Sequence, residues 1–348
     1  MARKPGISVM TLHAVFVGTA ALGTAAVGTA APAQAAGSAW WDIPTPAPVH
    51  PSALNVIAAV DARTAWTTGI EDPGPQTALL RWDGKKWRRD RTPVQLIATG
   101  VAGADARHAW AVGVGLSGPT AIFWNGTAWA QVAYPVRGVP AAVGAARDGS
   151  AWTVSGGGAT SDVLRWTGSA WAKVSVPLPP GASLTSVSVR TGSDVWLAGS
   201  SGSGKTALSL VMHWDGRAWH NMPVTGGTGL TTIDAESPTS VWATGASTLL
   251  HWNGRTWAAT PSPGGVGLLA LTGDGGSGAW VVPYTTKTAT RSYYLHWTGR
   301  SWIKVYGPVR RGNAMLGDIS RIPGGRQVLA AGAVQEKGRR MPFTEIYR

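Results

Sequence analysis

The stretch AWTTGIEDPGPQTALLRWDGKKW, residues 65–87, contains two short patterns that recur along most of the chain. The second pattern, W-x-G-x-x-W, occurs six times, beginning at residues 82, 124, 166, 214, 252 and 297. A copy of the first precedes each one, as AWTTG (65–69), AWAVG (109–113), AWTVS (151–155), VWLAG (195–199), VWATG (241–245) and AWVVP (279–283). A degenerate seventh copy, VLAAG (328–332), follows the last. Such regular spacing indicates a repeated structural unit.

Each unit reads as four short strands separated by turn signals. In the first unit the pattern predicts strand a at 54–60, strand b at 65–69 and strand c at 77–82, with a turn at Asp83-Gly84 before strand d. A proline follows the second Trp of every motif, and because proline cannot donate to a β ladder it marks the end of the outer strand. A period of roughly 40 residues with four strands predicts an all-β propeller of four-stranded antiparallel blades.

The seventh blade is divided between the two ends of the chain. The C-terminal residues 344–348 match strand c, and the chain stops where the turn to strand d is expected. Residues 37–40 resemble the start of strand d, because GSAW matches GTAW at 126–129. We therefore expect the N-terminal strand to join the C-terminal blade, which closes the ring and covers a sheet edge. Residues 36–348 are predicted to form one seven-bladed domain.

The first 35 residues have the layout of an export signal. Arg3 and Lys4 precede an apolar run from Ile7 to Ala31, and Ala33-Gln34-Ala35 forms a small-x-small cleavage site. The alternative is a retained membrane anchor, because the apolar run is long enough to span a bilayer. We interpret the segment as a signal peptide cleaved after Ala35 and the protein as secreted, with no later membrane span. The absence of cysteine excludes disulfides and thiolate metal sites.

Residues 199–206, GSSGSGKT, match the phosphate-binding loop pattern G-x-x-x-x-G-K-[ST]. That pattern requires a helix after the loop, because the helix N-terminus holds the phosphates. The residues that follow alternate in polarity with a period of two, which predicts a strand. We interpret the match as a flexible hairpin loop between strands b and c.

Nineteen of the 20 Trp residues occupy repeated strand positions, which favours packing over sugar stacking; Trp41 is the exception.

One position of strand c carries histidine in three consecutive blades, as His213, His251 and His296. Stacked sheets lie about 10 Å apart, so these three side chains should not converge on one metal ion. The repeated aspartates near the a–b turns read as turn formers; they are Asp61, Asp105, Asp148, Asp194, Asp234 and Asp274. We expect no catalytic group, metal or cofactor.

Positive charge is concentrated near the C-terminus. Residues 283–348 contain 12 basic and 3 acidic residues, a net charge of +9, whereas residues 36–282 have a net charge of +2. The predicted topology places the bases on b–c and d–a loops, which share one face of a propeller. The candidate ligand-binding residues are Lys287, Arg291, Arg310, Arg311, Lys337, Arg339 and Arg340. This pattern indicates either a repelling, soluble surface or attraction to a polyanion such as a cell-wall polymer, an acidic glycan or a membrane surface.

The G-x-x-W half of each repeat resembles the Asp-box repeats of neuraminidase-type propellers, as at Gly84/Trp87 and Gly126/Trp129. The Asp half of that pattern is absent, because a Trp stands two residues before each Gly. The chain is similar to secreted bacterial propellers of the Asp-box and kelch kinds, and this resemblance implies the fold but no particular activity. We predict a non-enzymatic binder of an extracellular ligand or protein partner, without specific nucleic-acid binding. The alternative is an extracellular glycan-active hydrolase or lyase.

Overall fold

The computed structural model describes residues 39–48, 52–72, 76–156, 161–202, 207–225, 227, 229–285 and 289–348. The predicted signal segment lies outside these residues. The described chain forms seven four-stranded antiparallel sheets, as the repeat predicts. Among the described residues, no helix is long and apolar enough to cross a membrane.

Each of the first six sheets is made of four consecutive strands. Blade one contains β2 (Ser52–Asp61), β3 (Thr64–Glu71), β4 (Gln76–Trp82) and β5 (Trp87–Arg89). Blade two contains β6 (Leu96–Asp105), β7 (His108–Gly115), β8 (Gly118–Trp124) and β9 (Trp129–Val132). Blade three contains β10 (Val139–Ala145), β11 (Ala151–Gly156), β12 (Asp162–Trp166) and β13 (Trp171–Val174).

The next three sheets repeat this order. Blade four contains β14 (Ser183–Thr191), β15 (Asp194–Ser201), β16 (Leu208–Trp214) and β17 (Trp219–Asn221). Blade five contains β18 (Thr232–Ser237), β19 (Ser240–Gly245), β20 (Thr248–Trp252) and β21 (Trp257–Pro261), followed by a short 3-10 turn at Pro263–Gly265. Blade six contains β22 (Leu268–Gly273), β23 (Ala279–Pro283), β24 (Arg291–Trp297) and β25 (Trp302–Val309).

Blade seven closes the ring as predicted. It contains β26 (Asn313–Arg321), β27 (Val328–Glu336), β28 (Arg339–Tyr347) and, as its outer strand, β1 (Trp40–Ile43). The register pairs Trp40 with Tyr347 and Ile43 with Thr344. The Thr344 hydroxyl donates to the backbone carbonyl of Ile43 at 2.9 Å. The N-terminal strand therefore occupies the place that strand d has in every other blade.

Tryptophan fills the space between neighbouring blades. The six strand-b Trp side chains, residues 66, 110, 152, 196, 242 and 280, are each at most 2% exposed. A flat group from strand c lies opposite five of these rings: His213, for example, stacks on Trp196 with ring centroids 4.0 Å apart, and Arg165 lies over Trp152 at 5.6 Å. The Trp residues are therefore scaffold, while the ring of Trp41 is exposed.

The motif glycines are explained by the c–d turn. Gly84, Gly126 and Gly168 have φ values of 89°, 93° and 103°, a region that disfavours residues with a side chain. The aspartate two residues before Lys85 supports the same turn, because the Asp83 carboxylate accepts the backbone N–H of Lys85 at 3.0 Å and of Lys86 at 2.9 Å. Each W-x-G-x-x-W motif is thus one tight hairpin between the two outer strands of a blade.

Candidate functional site

The predicted basic residues cluster on one face of the ring at blades six and seven. Arg291 begins β24, Arg310 and Arg311 lie between β25 and β26, and Lys337 lies between β27 and β28, where Arg339 and Arg340 begin β28. Lys287 lies outside the described residues. The b–c hairpins and d–a connections of these blades share this face, so we call the described residues Arg291, Arg310, Arg311, Lys337, Arg339 and Arg340 the basic sector.

Arg310 points into the protein rather than into solvent. Its side chain is 11% exposed and forms ion pairs with Asp42 of β1 and Glu345 of β28. Its guanidinium also lies over the Phe343 ring at 3.9 Å. Glu345 is itself fully buried and accepts hydrogen bonds from the hydroxyls of Ser292 and Tyr294. The guanidinium of Arg310 is therefore engaged in holding the blades together.

Arg340 and Arg291 are partly engaged by neighbours. The Arg340 guanidinium pairs with the Asp72 carboxylate of blade one at 2.5 Å, and both side chains are partly exposed. The Arg291 side chain donates to the backbone carbonyl of Gly307 at 2.8 Å and lies over the Tyr306 ring at 5.2 Å. These contacts fix the orientation of both guanidinium groups.

Arg311, Lys337 and Arg339 are exposed and form no ion pair among the described residues. Lys337 has φ 47° and Gly338 has φ 78°, so the chain turns tightly at the tip of the β27–β28 hairpin, which carries Lys337 and Arg339. The part of the basic sector that is free to meet a ligand therefore consists of Arg311, Lys337 and Arg339.

The second basic cluster, residues 85–91, is paired with acids in part. Arg88 pairs with Asp83 at 2.7 Å and Arg89 pairs with the buried Glu71 at 2.5 Å. Two of its five basic side chains are therefore compensated locally, whereas Lys85, Lys86 and Arg91 are exposed and form no ion pair among the described residues.

A cavity of about 290 Å³ opens between blades six and seven within the basic sector. Arg291 and Asn313 contribute polar groups to it. Its apolar lining includes Leu269, Pro283, Tyr284, Met315 and Leu316. The sequence did not indicate this cavity. Strand periodicity shows which side chains share a face of a sheet, but it does not show where two neighbouring blades leave a space between them.

A second open space, about 490 Å³, is the central channel lined by the strand-a residues of the ring. Hydrogen bonds between blades cross its wall: the Asp318 carboxylate accepts the backbone N–H of Ile57, and the Ser186 hydroxyl accepts that of Ile233, at 3.0 and 3.1 Å. Burial raises the pKa of Asp318 to about 7. The channel side chains therefore connect neighbouring blades.

The channel mouth at the a–b turns carries a partly buried carboxylate. Glu236 pairs with Arg321 at 2.9 Å and accepts the backbone N–H of Gly275 and the indole N–H of Trp242. Burial, with the charge of Asp234 nearby, raises the pKa of Glu236. Within the described part of the chain, no group of three or more His, Asp or Glu side chains is arranged to hold a metal ion.

Three-dimensional comparison finds propellers, whereas sequence comparison finds no match. No known protein family and no curated protein matches the chain. A structure of YCF48 bound to D1 peptide is 18% identical, with a TM-score of 0.59 over 88% of this chain and 96% of that one. YCF48 from Cyanidioschyzon merolae is 16% identical, with a TM-score of 0.60 over 88% and 98%. Catalytically inactive virginiamycin B lyase from Staphylococcus aureus with quinupristin is 9% identical, with a TM-score of 0.67 over 89% and 99%.

At these identities the likeness establishes the fold alone. The chain is a seven-bladed β-propeller of antiparallel four-stranded blades, and its free basic side chains and adjoining cavity lie on one face.

Proposed function

We propose that this protein is a secreted, non-enzymatic propeller that binds an anionic extracellular ligand on the loop face of blades six and seven. The observation that carries the proposal is the set of three exposed basic side chains, Arg311, Lys337 and Arg339, which lack acidic partners among the described residues. Unpaired charges of one sign gathered on one face attract a ligand of opposite charge and speed its association.

The distribution of the ion pairs supports this assignment. Arg88 and Arg89 in blade one are paired with acids, and so is Arg310 in the interior. Arg311, directly after Arg310, is exposed instead. The fold thus pairs Arg88, Arg89 and Arg310 with acids, whereas Arg311, Lys337 and Arg339 have no acidic partner among the described residues. Export through residues 1–35 would place the group in contact with cell-surface polymers and extracellular proteins.

The related structures are consistent with a binding role. YCF48 is described as bound to a peptide, and virginiamycin B lyase is described with quinupristin, so propellers of this shape include both a peptide binder and a lyase. A glycan-active hydrolase or lyase would use free carboxylates at the channel. Here Glu236 and Asp318 each accept hydrogen bonds from neighbouring strands or blades, which favours a structural role and therefore the binder.

Charge reversal tests the proposal directly. We expect the triple variant Arg311→Glu, Lys337→Glu, Arg339→Glu to lose salt-sensitive retention on cell-wall, anionic glycan or anionic liposome fractions. Each exposed ion pair contributes roughly 0.2–1 kcal/mol, so loss of three pairs should weaken binding by roughly 0.6–3 kcal/mol. Retention is measured by pull-down with purified protein at low and high salt, because screening distinguishes charge-driven binding.

A matched control carries the same change of net charge on the opposite face. Arg217, Arg255 and Arg300 are exposed in the c–d turns of blades four, five and six. The triple variant with glutamate at these positions should retain its ligand. Equal losses in both variants would show that only net charge matters, and unchanged binding in the first variant would exclude the basic sector.

A further inference from the structure

Large apolar side chains are exposed around the cavity between blades six and seven. Leu269 and Tyr284 line the cavity and are 40% and 57% exposed. Val309 is 72% exposed and pairs in register with the cavity residue Arg291, and Met341 is exposed beside Arg340. Exposed apolar side chains that line one cavity, such as Leu269 and Tyr284, are typical of a site of interaction.

Hydrogen bonds within blade six and between blades six and seven fix the backbone around the cavity. The backbone N–H of Ala314 donates to the carbonyl of Ala289 at 2.7 Å, and that of Arg310 donates to Thr290 at 2.6 Å. The Asn313 side-chain oxygen accepts the Ala289 N–H at 2.8 Å. On the opposite wall, the Tyr284 N–H donates to the Gly267 carbonyl at 2.7 Å. A preformed pocket binds a side chain without first paying the cost of ordering its walls.

The size and chemistry of the cavity suit a side chain of a larger ligand. About 290 Å³ is at the lower limit of small-molecule pockets, which span roughly 300–1,000 Å³. Leu269, Met315 and Leu316 offer an apolar wall, and the Tyr284 ring can pack against an aliphatic or aromatic group. Arg291 also lines the cavity, and the guanidinium N–H groups that it does not use on Gly307 can donate to a backbone carbonyl or a carboxylate.

The strand register connects this cavity to the free basic residues. Asn313 pairs with Gln335, and Gln335 pairs with Arg340. Adjacent strands lie about 4.8 Å apart, so the backbone of Arg340 lies about 10 Å from the cavity residue Asn313. Arg311 is two residues before Asn313 in the chain. One extended ligand can therefore reach the cavity and the basic side chains together.

We propose that the cavity between blades six and seven holds an apolar side chain of an acidic polypeptide segment whose carboxylates lie on Arg311, Lys337 and Arg339. This inference rests on the proposed anion-binding function and specifies its ligand class. An anionic glycan or wall polymer would satisfy the basic side chains but would leave the apolar walls formed by Leu269 and Leu316 unoccupied. An acidic peptide with an aliphatic or aromatic residue satisfies both.

The test is selection of a random peptide library displayed on phage against the purified protein. We expect the enriched peptides to combine several Asp or Glu residues with one aliphatic or aromatic residue. Synthetic copies with that residue replaced by Ser should bind about tenfold more weakly or worse, because burial of one such side chain contributes roughly 1.5–3 kcal/mol. The same weakening should appear with the pocket variant Leu269→Gln, Tyr284→Asn, which changes no charge.

The control variant Leu116→Gln, Leu208→Gln removes two exposed apolar side chains on the b–c side of blades two and four, one in the β7–β8 turn and one at the start of β16. It should bind the selected peptides as tightly as the unaltered protein. If nothing is enriched, or the peptides bind the pocket variant equally well, the inference is overturned. In that case, the proposed anion-binding function would still be supported if the protein were retained on anionic glycans and this retention were lost on charge reversal. If the protein neither enriched such peptides nor showed this retention, both the peptide inference and the proposed function would be rejected.

Discussion

At the residue scale, two aspartates of this chain have opposite environments. Asp318 lies in the channel wall, where burial raises its pKa to about 7. Asp215 lies in an exposed c–d turn, where the backbone N–H of Ala218 and the side chain of His220 hold its pKa below the usual range. A carboxylate in the channel wall therefore opposes folding when ionised, whereas one in the turn favours it.

Stability should accordingly depend on the protonation of Asp318. An unfolded Asp loses its proton near pH 4, while folded Asp318 keeps it until about pH 7, so this residue makes the protein less stable as pH rises through that window. Asp318→Asn retains an acceptor for the Ile57 N–H without a charge. We expect the variant to be about 1–3 kcal/mol more stable than the unaltered protein at pH 8 and no more stable at pH 4, measured by urea unfolding.

Asp215→Asn supplies a control of opposite sign, because ionised Asp215 is the favoured form in the turn. This variant should be less stable than the unaltered protein at pH 8. If Asp318→Asn and Asp215→Asn changed stability in the same direction at pH 8, burial of Asp318 would not be the cause.

At the element scale, the match to a phosphate-binding loop is decided by the strands on either side. β15 and β16 pair antiparallel, with Ser201 opposite Leu208, so the described residues after the loop begin a strand. Lys205 and its neighbours 203–206 lie outside the described residues. A phosphate-binding loop needs a helix N-terminus directly after it, and the described residues at that place form a strand instead.

We therefore expect no nucleotide binding at this hairpin. Mg-ATP should leave the Tm of the unaltered protein and of Lys205→Ala unchanged, as followed by the intrinsic fluorescence of the Trp residues. An increase in Tm with Mg-ATP that disappears in Lys205→Ala would overturn this interpretation, because a ligand that binds the folded state alone stabilises it by RT ln(1 + [L]/Kd).

At the scale of the whole molecule, Arg310 joins the two ends of the chain. It pairs with Asp42 on the N-terminal strand and with Glu345 on the C-terminal strand, while its own backbone belongs to the connection between blades six and seven. Burial raises the pKa of Glu345, so the charged form of this carboxylate depends on the guanidinium and on the Ser292 and Tyr294 hydroxyls. Ring closure thus combines strand pairing with a buried ion pair.

Removing one member of that pair should cost more than removing both. Breaking a buried ion pair typically costs about 3–5 kcal/mol, because the remaining charge is left without a partner. We expect Arg310→Met to destabilise the protein by about 3 kcal/mol at pH 7, and Arg310→Met, Glu345→Gln to regain more than half of that loss, by denaturant unfolding. Arg311→Met, a change at the exposed neighbour, should alter stability by less than about 0.5 kcal/mol. Equal losses in the single and double variants would contradict the ion-pair account.

Repetition explains why the architecture was predictable. The positions of Trp66, Gly84 and Trp87 recur in six blades, and each copy has a buried strand-b Trp and a positive-φ glycine in the turn, so one unit could be read from all of them. The N-terminal strand was recognised for the same reason, since residues 37–40 copy the start of strand d. The scaffold role of the Trp residues also followed from their repeated register.

The candidate site was only partly predictable, because its residues are not part of the repeated motifs. The sequence located the excess of basic residues on one face, but it could not distinguish the engaged Arg310 from the exposed Arg311 beside it. It also did not show the cavity around Leu269 and Tyr284, which depends on the spacing between two blades.

By itself, the sequence determined the blade count, the strand order and the closure of the ring, because strand periodicity and turn chemistry are local properties repeated many times. Only the tertiary structure decided which charges are buried in pairs, which remain free, and where two blades separate to form a cavity. Those features arise from contacts between residues far apart in the chain, such as Arg310 with Asp42 or Arg340 with Asp72, and no local pattern specifies them.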